Sequence, residues 1–340
     1  MADYSALDKL LHRLALGSQS IAEMVHDIER ARFLKSSPQA RDGKHVYVSG
    51  LARAGTTILM HEIYATGSFA SLTYADMPFV LAPNLWAGLA RSKSVTARAE
   101  RAHGDGIEVD SNSPEALEEV FWRIFCGEDY VTPTGLLPHS PSAQVIDDYV
   151  DFIRLVLRRY GKSRYLAKNN NAILRIGTLA KVLPNSVFLI PIRTPLQHAQ
   201  SLLSQHRRFL NSEPFTKNYM TWLAHHEFGA TQRPFLVSVG PADDPLTLDY
   251  WLKQWILVYT KLTADAANNA NAYLVPHEDL TLNPAVWPAI SAKIGIAPGS
   301  LSEARTQDFR AVDTHDQSLA ARAQELYQTH CAAALAKLGA

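Results

Sequence analysis

The chain has 340 residues, 47% of them hydrophobic, with 33 basic and 33 acidic side chains, enough to bury a large core as one domain over 1–340. The even charge leaves no global positive field to draw it onto nucleic acid or an anionic membrane, so an anion site has to be local. The longest apolar run, residues 187–192, is far short of the roughly 20 needed to span a bilayer.

Leu7, Leu10, Leu11, Leu14, Ile21, Met24, Val25 and Ile28 recur at helical spacing, which predicts one or two helices over 5–35 in an N-terminal addition of residues 1–40. Acids and bases interrupt these leucines, unlike the apolar stretch of a secretory signal, and two cysteines, Cys126 and Cys331, build no disulfide framework. A cytoplasmic protein is expected. A polar segment, 36–43, then leads into HVYVS, a predicted strand that feeds a glycine loop at 50–57 and a helix over 56–66.

Ser113-Pro114-Glu115 carries the cap, proline and acid of a helix start, predicting a helix to about Phe125. A longer helix is predicted over 143–160 and closed by Gly161. RYLAK (164–168), SVFLIPI (186–192) and AYLVP (272–276) read as strands, with helices over 173–183, 194–208, 213–229 and 246–270. The alanine-rich end, 332–340, is expected to fray. Strands alternating with helices imply right-handed crossovers and an α/β, P-loop-type fold: a central parallel sheet flanked by helices, with a core over 44–295 and a helical segment over 296–340.

GLARAGTT (50–57) has the glycine spacing of a loop whose backbone amides and following helix cradle an anion. Thr56 stands where a triphosphatase has its lysine, and Arg53 puts a cation inside the loop, which argues against triphosphate hydrolysis. A turn that binds nothing is the bland alternative. A second anion signature weighs against it: the strand SVFLIPI runs into Arg193, at the carboxyl edge of the sheet, and a capped helix presents Ser201 eight residues on.

With these residues in view, the sequence resembles the superfamily of sulfotransferases that use 3′-phosphoadenosine 5′-phosphosulfate (PAPS), its tyrosylprotein-type and bacterial members in particular. GLARAGTTIL matches their first motif, FLIPIRTPLQHAQS their second, and VPHEDLTLNP (275–284) is similar to a third, over about residues 44–295. The resemblance implies that Arg53, Ala54, Gly55, Thr56 and Thr57 hold the 5′ end of PAPS and that Arg193 and Ser201 hold its 3′-phosphate. It implies transfer to a hydroxyl of a small-molecule or glycan acceptor by in-line displacement without a metal, leaving adenosine 3′,5′-bisphosphate (PAP). Mostly helical insertions within 78–160 and 211–271 are expected to form the acceptor-side cap.

Such a transfer needs a base and cations for the departing charge. Asp76 follows Arg53 by 23 residues, similar to the family's catalytic glutamate, although an aspartate before Met77-Pro78 also suits a helix cap. His103 in RAHGDG resembles the basic histidine of aryl and steroid sulfotransferases, and with Asp105 it could equally contact acceptor or close a turn. Lys168 resembles the lysine that touches the sulfonate, and a strand-end lysine with its head in water is the alternative. Phe79 is a candidate acceptor contact; Trp86, Phe121 and Trp122 could also wall a pocket, although helical aromatics are more often core. Arg305 and Arg310 are candidates for the adenine side. His61 with Glu62, and the adjacent His225 and His226, lack metal-ligand spacing. A metabolite kinase and an inactive nucleotide-binding scaffold are the rival readings, and oligomeric state does not follow from the sequence.

Overall fold

A computed structural model describes residues 5–90, 99–100, 108–238, 244–299, 301 and 312–340. Helices α1 (Ala6–Gly17) and α2 (Gln19–Phe33) open the chain, with the side chains of Ser5 and Ser18 as their caps. Strand β1 (Val46–Val48) leads through the glycine loop into α3 (Thr56–Ala65). Next come α4 (Pro83–Leu89), the two-residue strands β2 (Ala99–Glu100) and β3 (Glu108–Val109), α5 (Glu119–Tyr130), α6 (Ala143–Tyr160), β4 (Leu166–Lys168) and α7 (Ile176–Val182). The chain continues through β5 (Val187–Ile192), α8 (Pro195–Phe209), α9 (Pro214–Trp222), α10 (Leu248–Asn268), β6 (Ala272–Pro276), α11 (Asp279–Leu282), α12 (Val286–Ile294) and α13 (Gln317–Leu338).

Four of the strands form an all-parallel sheet in the order β4-β1-β5-β6, while β2 and β3 pair antiparallel on their own. Side chains alternate across a strand, and the core divides accordingly. Val46, Val48, Leu166, Leu189 and Val275 meet Leu59, Met60 and Ile63 of α3 and Val286, Trp287 and Ile290 of α12. Tyr47, Ala167, Phe188, Ile190, Ile192 and Leu274 belong to the larger cluster that gathers α5, α6, α8 and α10. The sheet is thus the middle layer of an α/β fold. From β1 the chain crosses to β4 on one side, and from β5 it crosses to β6 on the other. That divergence opens a crevice at the carboxyl ends of β1 and β5, where doubly wound folds bind ligands.

Several expectations are corrected. No helix starts at Ser113, because the segment there pairs with the chain after α3: Ala75 N donates to Ser111 O at 2.7 Å and Glu115 N to Leu72 O at 3.1 Å. With its amides and carbonyls in a ladder, the helix waits until Glu119. The helix expected over 173–183 is a 3-10 turn, Asn170–Leu174, followed by α7. Helix α9 ends at Trp222, which leaves His225 and His226 outside it. The alanine-rich end is helical to Leu338, because Ala334 and Leu338 are buried and Lys337 Nζ bonds Asn269 O and Ala272 O, each at 2.8 Å. Phe121 and Trp122 are buried in the core rather than lining a pocket. Among the described residues, no helix is long and apolar enough to cross a membrane.

A buried ion pair ties the β4 edge to α5. Arg175 meets Glu119 through two bonds, at 2.7 and 2.9 Å, beneath the rings of Trp122 and Tyr130. Burial pushes the Glu119 carboxyl up, but Arg175 outweighs this and holds it below its ordinary 4.5. Its stabilising contribution is therefore complete above that pH and is lost as pH falls through the depressed value. Arg175→Met strands a buried carboxylate, so a loss of about 3–5 kcal/mol at neutral pH is expected. The deficit should shrink in acid, where the stranded Glu119 takes up a proton. Urea melts of both chains at two pH values measure it.

Candidate functional site

The loop between β1 and α3 is shaped by close approaches. A Cβ at Gly50 would lie 3.1 Å from Pro191 O of β5, so glycine lets the loop hug the neighbouring strand. Arg53 has φ 68° and Gly55 has φ 92°, a left-handed pair that turns the loop back toward α3. His198 of α8 steadies it by donating Nε2–H to Ala52 O at 2.7 Å. Burial pushes this imidazole down to about 3, so it is neutral. Gly55 is the N-cap of α3 and brings no capping side chain to the helix's amide end.

Strand β5 delivers Arg193 to the same place. Arg53 Nε donates to Ser201 Oγ at 3.2 Å, and Arg193 Nη1 donates to Arg53 O at 3.4 Å. Residues 148 and 140 apart in sequence thus meet at the β1–β5 crevice. Ala54, Thr56, Thr57, Arg193 and Ser201 are all buried, and Arg53 is half-buried. A pair of guanidinium groups, the loop and the start of α3 make a local cationic site in a chain of no net charge.

Lys168 ends β4 in register with Val48 of β1. It is 7% exposed, so its head is not in open water. Asn170 Nδ2 donates to Glu227 Oε1 at 2.9 Å, and His225 Nδ1 lies 3.6 Å from Glu227 Oε2. Burial pushes Glu227 up, but His225, Asn170 and Lys168 together hold it below its ordinary range. Burial pushes His225 down, and Glu227 outweighs this to raise it. Glu227 was missed, because the end of β4 and the loop after α9 that form this cluster lie far apart in the sequence.

Asp76 is fully buried at the end of a 3-10 turn, Tyr74–Asp76. Its Oδ2 accepts from Thr73 N at 2.9 Å and Tyr160 OH at 2.5 Å, while Oδ1 faces Arg159 Nε at 3.6 Å with no hydrogen bond. It therefore caps the turn it ends, not a helix opening at Met77-Pro78. Burial raises its proton affinity, against the pull of Tyr160 and the Thr73 amide. Phe79 is partly buried and packs on Trp86, ring centroids 5.1 Å apart. His103, Asp105, Arg305 and Arg310 lie outside the described residues. Among the described residues, no group of three or more His, Cys, Asp or Glu stands together as metal ligands.

No family model and no curated protein matches this sequence. The structure, however, is similar along 99% of its length to 87% of the sulfotransferase STF1 from Mycobacterium tuberculosis, with a TM-score of 0.52 and 14% identity. The chain has a sulfotransferase fold. It is also similar to the sulfotransferase STF9 from Mycobacterium avium, with a TM-score of 0.47 and 12% identity over 97% of this chain and 79% of that one. A sulfotransferase from Alicyclobacillus acidocaldarius gives 0.41 and 11% over 87% and 95%. The parallel sheet with its flanking helices is what this chain shares with the sulfotransferase fold.

The fit around Gly55 is tight enough to test. A Cβ there would fall 2.4 Å from His277 Nδ1, at a φ of 92° that L side chains avoid. Gly55→Ala is expected to destabilise by about 1–3 kcal/mol and to weaken anion binding. Adding His277→Ala should recover only the steric share. Thermal melts and PAP titrations of the two variants measure both effects.

Proposed function

We propose that this chain is a sulfotransferase that takes PAPS as donor and a hydroxyl of a small-molecule or glycan acceptor. The observation that carries the proposal is the convergence of Arg53, Ser201 and Arg193 beside the uncapped start of α3. The residues fit such a donor: the amide end and hydroxyls at Thr56 and Thr57 suit its 5′ end, and Arg193 with Ser201 suits a 3′-phosphate on the same ribose. When bound, the donor supplies a sulfuryl group whose leaving group is a phosphate.

In this proposal Arg53 and the α3 amides take up charge on the leaving side, and Lys168, one strand over, takes it up on the sulfonate. Side-chain cations do this work without a metal ion. Asp76 is the proposed proton acceptor: Oδ2 is engaged, the buried Oδ1 makes no hydrogen bond, and burial raises the carboxyl's affinity for a proton. His103, Asp105 and Phe79 are the proposed acceptor contacts. The two cysteines, neither in a disulfide, suit the cytoplasm as the proposed location.

PAP should raise the melting temperature and magnesium-ATP should not; the reverse pattern would overturn the proposal in favour of a kinase. Labelled PAPS with a panel of hydroxyl acceptors then reads transfer directly. Arg193→Ala is expected to weaken PAP binding by about tenfold or more, with the fold kept. Asp76→Asn should hold PAP affinity and lose turnover, and undiminished turnover would leave Asp76 as a turn cap alone.

A further inference from the structure

We infer that Glu278 is a positioning residue that sets the site's preference for a 3′-phosphate, an inference that rests on the reading above. Three successive residues at the end of β5 are each pinned from outside the strand, two by the turn after β6 and one by α10. Ile192 O accepts from His277 N at 2.8 Å, Arg193 O accepts from the Trp255 indole at 3.2 Å, and Thr194 is held by Glu278. Glu278 Oε1 accepts from Thr194 N at 2.9 Å and Thr194 Oγ1 at 2.6 Å, while Oε2 accepts from Tyr327 OH of α13 at 2.7 Å.

Thr194 is the N-cap of α8, and its own side chain makes no capping bond. Glu278 supplies the cap from the turn after β6, and its carboxylate lies at the amide end of this 15-residue helix. A carboxylate there repels a ligand anion, whereas α3 starts at a glycine that brings no side chain. A phosphate beside Arg193 must then be gripped by side chains, Arg193 and Ser201, and a guanidinium grips well only where its backbone is fixed. Glu278 fixes it without touching the ligand.

The test compares PAP with AMP, which lacks only the 3′-phosphate, by calorimetric titration of the full chain. Wild type is expected to prefer PAP; equal affinities would overturn the reading of the site and this inference with it. In Glu278→Ala the preference should fall by at least about tenfold while AMP binding persists. Glu278→Gln, which keeps an acceptor oxygen for Thr194, should restore most of it. Thr194→Ala deletes one bond to Glu278 but keeps its carboxylate and the bonds from the residue-194 amide and Tyr327, and should give a smaller fall, which decides the matter should Glu278→Ala fail to fold. Full preference retained in these variants, or PAP and AMP weakened alike, would sink the role of Glu278 and leave the reading of the site standing.

Discussion

Parallel strands that lie side by side bring their carboxyl ends to one edge, and β1 and β5 are such neighbours with their outgoing chains turned in opposite directions. The rest of the site depends on this. It allows a loop from residue 50 onward and an arginine at 193 to share a hydrogen-bonded cluster across 140 positions of sequence. It also explains the glycine at 50, where any side chain would be driven into the Pro191 carbonyl of the next strand.

Beside that edge the interior holds a polar network. Asn169 continues β4 by donating its amide to Val48 O at 2.9 Å, and its side chain reaches Glu118 and Glu119 at 3.1 and 2.7 Å. Glu118 also takes bonds from Tyr149, Tyr165 and Trp122. Such a network specifies one arrangement of α5, α6 and β4, because losing any partner leaves a buried group without compensation. Lys168 sits on the strand that this network braces.

Much of this was legible in the chain. The strands were short apolar runs with turn residues after them, and the loop cation and the strand-end arginine could be read from spacing alone. The convergence of Arg53 with Ser201 was only implied, because proximity across the sheet belongs to topology and not to any local pattern. The false helix start at Ser113 shows why: cap, proline and acid were all present, yet pairing with residues 72–75 claimed the same backbone groups. Asp76 carried two meanings: its capping bond, from Thr73 N, is local, while the Tyr160 hydroxyl that shares the same oxygen lies 84 residues away. His198 could have been found, since it stands three residues before Ser201 on one helical face. Glu278 was visible only as part of VPHEDLTLNP, and its role was not, because Thr194 and Tyr327 lie in other elements; Glu227 was hidden because Asn170 reaches it from across the fold.

The zero net charge and the 7% exposure of Arg193 bear on the speed of ligand capture as well as its strength. A protein with a broad positive surface pulls polyanions in from a distance and quickens their encounter, with a steep dependence on ionic strength. This one keeps Arg193 sunk at a sheet edge, so the proposed nucleotide would meet it only after arrival and after shedding water. Association then proceeds at an ordinary diffusive pace, and the lifetime of the complex, more than the frequency of collisions, decides how tightly the ligand is held.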